Sequence, residues 1–178
     1  VVSSLYRVLI GAPGDDSSRG SAYVFGQTAD GIWSQQAKLT PAASSAGSLV
    51  GTSVAISGSL AMLGAPGDGG TGAVYTYILS ASGAGIQQSR LVSTSAQSGQ
   101  KFGSAVATNG VRIVVGAPYY DGKNADQGAA FVFDWNGSAW VISARLTADG
   151  GADEVIAQSH GYASDHFGAS VSLSGNVV

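Results

Sequence analysis

The chain has 178 residues, a net charge of −3 and an apolar fraction of 44%, enough to bury a core in one domain of ordinary size. Charged residues make up only 11%, and Lys plus Arg number 8, which argues against a phosphate-binding surface and so against nucleic acid as a partner. No apolar run approaches the roughly 20 residues that span a bilayer, and the absence of cysteine removes disulfides and thiolate metal sites.

Strand signals follow one another along the whole chain. Residues 8–12 form an apolar run closed by Gly11-Ala12-Pro13, and 21–27 and 33–39 continue as two further strands. Residues 52–57 alternate apolar and small polar side chains, and Gly58-Ser59 is a two-residue hairpin turn. Residues 60–65 are continuously apolar, as in a strand buried on both faces, and Pro66 ends it because it cannot donate to a ladder. An aromatic-rich strand over 72–79 and a more polar one over 86–92 complete four strands, labelled A to D. The order returns at 102–109, 112–117, 128–136 and 138–146, and 167–174 reads as a fourth strand A.

Gly-Ala-Pro therefore occurs three times, at Gly11, Gly64 and Gly116, with spacings of 53 and 52 residues. Thirteen residues before the second and third copies stand Val50-Gly51 and Phe102-Gly103, and Phe167-Gly168 stands near the C-terminus. A four-stranded unit repeating about every 50 residues predicts an all-β fold, a β-propeller with three blades in this chain.

These residues resemble the bacterial FG-GAP repeat, which is related to the blades of the integrin α-subunit head. The resemblance covers Phe-Gly, Ser-Val or Ala-Val, Gly-Ala-Pro, and the Lys-Leu or Arg-Leu of strand D. It implies a secreted, extracellular or periplasmic adhesion or ligand-binding module. Integrin-type repeats often carry an Asp-rich calcium loop between strands A and B. Here those links are Ser57-Gly58-Ser59, Thr108-Asn109-Gly110 and Ser174-Gly175-Asn176, none of them acidic.

Three blades are too few for a closed ring. Aligned on Gly-Ala-Pro, Val1 falls on Val54, so the chain starts inside strand A of the first blade with its Phe-Gly missing, while 167–174 is a surplus strand A. The expectation is one half-ring domain over 1–178, with blades at about 1–49, 50–101 and 102–166. Residues 167–178 would complete the first blade of a partner, giving a six-bladed homodimer by strand exchange. A fragment of a longer propeller is the other reading.

In a meander the B–C and D–A links share one face. Nine of the eleven acidic residues fall there, and so do both histidines. The candidate metal ligands are Asp15, Asp16, Asp68, Asp121, Asp126 and Asp165. Carboxylates alone favour Ca²⁺, and added histidines favour Zn²⁺ or Mn²⁺. The D–A link before Phe167 is ten residues longer than the other two and holds His160 and His166, the candidate catalytic residues. Tyr119-Tyr120 replaces the Gly-Asp of the other two B–C turns and is the candidate ligand-lining pair. Lys38, Arg90 and Arg145 recur before the strand D Leu and read as outer-strand charges that discourage edge pairing. Trp33 and Trp140 read as blade-packing residues, with sugar stacking the lesser reading.

Two functions fit. One is an interaction module for a protein, carbohydrate or small-molecule ligand. The alternative is a metal-dependent hydrolase of esters, lactones or phosphotriesters, with an axial metal and His160 or His166 as general base.

Overall fold

The computed structural model describes residues 6–95, 97–148 and 162–175. Among these, eleven strands form three antiparallel sheets. The first holds β1 (Tyr6–Ala12), β2 (Ser21–Gln27) and β3 (Trp33–Leu39). The second holds β4 (Ser53–Ser57), β5 (Leu60–Ala65), β6 (Ala73–Leu79) and β7 (Gly85–Leu91). The third holds β8 (Ala105–Thr108), β9 (Arg112–Ala117), β10 (Ala129–Trp135) and β11 (Trp140–Leu146). Strands follow in chain order within each sheet, consistent with successive blades. No helix among the described residues is long and apolar enough to cross a membrane.

The middle sheet shows why the 60–65 run is apolar throughout. Along β5, Leu60 and Met62 join the core shared with the third sheet, while Ala61, Leu63 and Ala65 join the core shared with the first. All six residues are buried. Strand β6 divides likewise, with Val74 toward the third sheet and Tyr75, Tyr77 and Leu79 toward the first. Strand β1 has a neighbour on one face alone among the described residues. Leu9 is buried there, whereas Tyr6, Val8 and Ile10 on the other face are 66%, 39% and 49% exposed.

Adjacent sheets are joined by a backbone seam that recurs three times. A parallel bridge links Gly20 to Val50, Gly72 to Phe102 and Gly128 to Phe167. The glycine after each of Val50, Phe102 and Phe167 has a left-handed backbone, at φ +87°, +91° and +87° for Gly51, Gly103 and Gly168. Its carbonyl lies directly over the Gly-Ala-Pro glycine of the preceding sheet, in the pairs Gly11 with Gly51, Gly64 with Gly103 and Gly116 with Gly168. A Cβ at either partner would be driven into backbone, so the seam admits glycine alone. The two halves of the repeated motif thus meet across neighbouring sheets, although they also pair within one, as in Gly103 N–H to Gly116 O at 3.0 Å.

The segment expected as a fourth strand A differs. Phe167 makes its bridge, but residues 169–174 carry no ladder. A strand needs a partner along its edge, and among the described residues no further strand B follows.

The last strand of every sheet carries the same bulge. One extra residue, Gln36 in β3, Gln88 in β7 and Ser143 in β11, interrupts its pairing with the preceding strand. Bulges re-aim side chains, and Gln36 and Gln88 sit where their sheet meets a link of the next.

Candidate functional site

Asp15 and Asp68 occupy equivalent turns, two residues after Pro13 and Pro66. Each is gripped by the same three-part arrangement. Asp15 Oδ2 lies 2.6 Å from Lys38 Nζ and accepts from Ser21 Oγ at 2.7 Å and Tyr23 OH at 3.0 Å. Asp68 Oδ2 accepts from Tyr75 OH at 2.8 Å and from Arg90 Nε at 2.9 Å, while Oδ1 takes a longer bond of 3.3 Å from Ser48 Oγ. Tyr23 faces Lys38 and Tyr75 faces Arg90 as cross-strand neighbours, so register delivers donor and cation together. The hydrogen bond from Lys38, with those from Ser21 and Tyr23, holds the Asp15 carboxyl far below its ordinary range, and the same contact raises Lys38. Burial, with the hydrogen bond to Asp68, pushes the Tyr75 phenol up to about 12.

The third sheet uses different chemistry at the same place. Tyr120 stands where the Asp would be, Phe131 where the Tyr would be, and Arg145 keeps the cation. Arg145 Nη1 donates to Tyr120 OH at 2.9 Å and the guanidinium lies 5.4 Å from the ring centroid. A neutral phenol accepts from the cation without a second donor, which explains why the strand tyrosine can become Phe131. Lys38, Arg90 and Arg145 therefore reach back to the turns of their own sheets, where sequence reading gave them an edge-guarding role. The network also separates the Tyr119-Tyr120 pair: Tyr120 is 6% exposed and turned inward, Tyr119 is 43% exposed.

Tyr119 opens a longer link, 118–128 between β9 and β10, than its counterpart in the second sheet. The Gln97 amide brackets the Asp121 backbone, accepting from its N–H at 2.9 Å and donating to its carbonyl at 2.8 Å. Asp121 Oδ1 accepts from Asp126 N–H at 2.9 Å. The Asp126 carbonyl in turn accepts from His166 N–H at 3.2 Å. His166 has φ +52°, the seam conformation also taken by Leu49 and Lys101, and its ring sits 4.7 Å from that of Tyr119. Three unlike side chains thus occupy one repeated backbone position. Asp165 Oδ2 accepts from Tyr162 N–H at 2.6 Å, and Tyr162 is 73% exposed.

The structure brings Tyr119, Asp121, Asp126 and His166 to one seam. Asp15 and Asp68 stay in their own turns, and Asp16 faces Arg19 at 3.7 Å. His160 lies outside the described residues. Among the described residues no three His, Cys, Asp or Glu side chains are grouped so as to hold a metal ion. Sequence reading missed an open cleft of about 500 Å³ on the opposite face, beside Trp135 and Trp140. Its signal was a shortened C–D link with Trp on both sides.

A model of the FG-GAP repeat matches residues 33–77 and 86–133, a little over half of the chain. No curated protein matches it.

Proposed function

The chain belongs to the FG-GAP repeat family, and from that membership we propose that it is a β-propeller-type interaction module, not a catalyst, closed into a ring by a second copy of itself. The observation that carries this reading is the open apolar face of the first sheet. Tyr6, Val8 and Ile10 lie exposed on β1, where the equivalent face of the middle sheet is buried. A further sheet on that face would bury them, and apolar burial contributes roughly 25 cal/mol per Å². The third seam supports the same closure. Gly116 with Gly168 and Gly128 with Phe167 form a joint of the usual geometry, with Val171 and Leu173 in alternation beyond it. In this reading residues 167–174 of one copy lie beside β1 of the other.

The face bearing Tyr119, Tyr162 and His166 is the proposed contact surface for a macromolecular ligand, since exposed tyrosine is enriched where proteins bind. A divalent cation, Ca²⁺ before Zn²⁺ or Mn²⁺, would have to draw together carboxylates of that face, such as Asp121, Asp126 and Asp165, which are not grouped around a common point. A location outside the cytoplasm goes with the family. Hydrolysis through His160 or His166 has no observation of its own in its favour and is not pursued.

Light scattering tests the closure. The expected mass is twice 17.7 kDa, reduced to a single chain by Ile10→Glu. A folded monomer in the unaltered protein overturns it. EDTA-sensitive turnover of p-nitrophenyl acetate or paraoxon, lost in His166→Ala, overturns the non-catalytic reading. A melting temperature unmoved between EGTA and CaCl₂ removes the cation.

A further inference from the structure

The two seams within the described sheets end differently on the face of the A–B and C–D links. At the first, the end is filled. Arg7 Nη2 donates to the carbonyl oxygens of Ser80 at 2.6 Å and Ala81 at 2.7 Å in the β6–β7 link. The bulged Gln36 lies against Gly83 of the same link. At the second seam the residue equivalent to Arg7, four before the Gly-Ala-Pro glycine, is Leu60. The bulged residue is Gln88. The facing link, 136–139, is one residue shorter than 80–84. Asn136 ties it down, its Oδ1 accepting from Ser138 N–H at 3.0 Å and Ala139 N–H at 2.9 Å. The end of this seam is left open as a cleft of about 500 Å³, within the roughly 300–1,000 Å³ of small-ligand sites.

Its walls are chemically selective. Trp135 and Trp140 stand as a tilted pair, centroids 5.3 Å apart and planes at 59°, with Ile78 also on the lining. The polar lining is uncharged, from Gln88, Ser57 and Ser59. The nearest charges along the chain, Arg112 and Asp134, neutralise each other at 2.6 Å. Trp140 Nε1 is enclosed behind that wall with no hydrogen-bond partner among the described residues. An ionic ligand finds no counter-charge here, and a purely apolar one strands the amide and hydroxyls. An uncharged ring with an apolar C–H face and a rim of hydroxyls satisfies both sets at once.

We infer that the cleft where the second sheet meets the third binds neutral pyranose sugars, stacked on the Trp135–Trp140 pair and hydrogen-bonded by Gln88, Ser57 and Ser59. The inference rests on reading the protein as a binding module and names one of its ligands.

The test titrates the full chain with methyl glucoside, galactoside, mannoside and N-acetylglucosaminide, and with cellobiose, maltose, lactose and chitobiose. Sialic acid and benzyl alcohol are the charged and purely aromatic comparisons. Tryptophan fluorescence and indole N–H shifts are followed throughout. At least one neutral sugar is expected to saturate with a Kd below about 10 mM, that is, tighter than about −2.7 kcal/mol. The Trp135 and Trp140 N–H signals should move while that of Trp33 stays still. Trp135→Ala and Gln88→Ala should each weaken binding about ten-fold, and Trp33→Ala should leave it unchanged.

No saturable neutral sugar, preference for sialic acid or benzyl alcohol, or shifts confined to Trp33 overturns the inference. Should Trp135→Ala fail to fold, Gln88→Ala and the wild-type shift pattern decide. Failure of the cleft in a protein of dimeric mass leaves the interaction module standing. A glycan-binding monomer removes the closure and keeps the cleft.

Discussion

Gly64 of one sheet lies directly beneath the carbonyl of Gly103 in the next, with no room for a β-carbon between them. Gly103 also has φ +91°, so a side chain there meets both a forbidden backbone and a clash. Gly103→Ala should cost about 3 kcal/mol or more in urea unfolding, combining left-handed strain with overpacking. Gly99 is the control. It has φ +83° but open space around its missing Cβ, so Gly99→Ala should cost only about 1–2 kcal/mol. Equal costs at the two positions would remove the steric account of the seam.

The repeated turn network makes a second, paired prediction. Asp68 is buried beneath Tyr75 and Arg90, so Asp68→Ala should cost about 3 kcal/mol by leaving both donors unmatched. Asp15 is only partly buried and Lys38 is exposed, so Asp15→Ala should cost less, about 1 kcal/mol. The third sheet also suggests a rescue. Asp68→Tyr with Tyr75→Phe rebuilds the Tyr120–Phe131–Arg145 set and should be more stable than Asp68→Tyr alone. A double variant no better than the single would mean the two chemistries are not interchangeable.

Alkaline pH provides a third. Burial raises the phenols of Tyr75 and Tyr77 from 10.0 to about 12. A raised folded value means their stabilising contribution is complete below pH 10 and is lost as pH climbs toward 12. Absorbance at 295 nm should show two of the seven tyrosines titrating late, with unfolding. Tyr75→Phe and Tyr77→Phe should each remove one late step. At the acid end the sign reverses, because the Asp15 carboxyl is lowered by Lys38. Its contribution is present above 3.8 and fades as pH falls beneath it.

Phe102 makes a fourth. It is fully buried, with ring centroids 5.5 Å from Phe131 and 6.1 Å from Phe133. Phe102→Ala should cost about 3–5 kcal/mol by thermal unfolding. Val50 holds the same seam position with a smaller side chain, and Val50→Ala should cost about 2 kcal/mol.

The sheets were legible in the sequence because each strand carries its own pattern. The 60–65 and 112–117 runs and the 21–27 and 33–39 strands end where β5, β9, β2 and β3 end. Strand A was read too long, since Phe102 and Gly103 serve the seam and β8 begins only at Ala105. Residues 169–174 carry no ladder within the one chain, because alternation describes a face and says nothing about a partner. Lys38, Arg90 and Arg145 were placed on an edge because a lone sequence position shows no direction. Their co-repetition with Asp15 and Asp68, and the joint replacement by Tyr120 and Phe131, was the available clue. Tyr119 and His166 were read onto one face from the order of the links alone, and their rings stand 4.7 Å apart, a contact the sequence does not register. The Trp135 cleft was missed because it depends on one residue fewer in a link, a feature that composition does not register.

The seams are made by main-chain atoms, and this has a consequence for descent. Between one joint and the next almost any side chain can drift while the stacking survives, so related chains would retain the glycine intervals long after their overall likeness has faded. What persists from generation to generation is the mortar, and what selection is free to rewrite is everything it holds up.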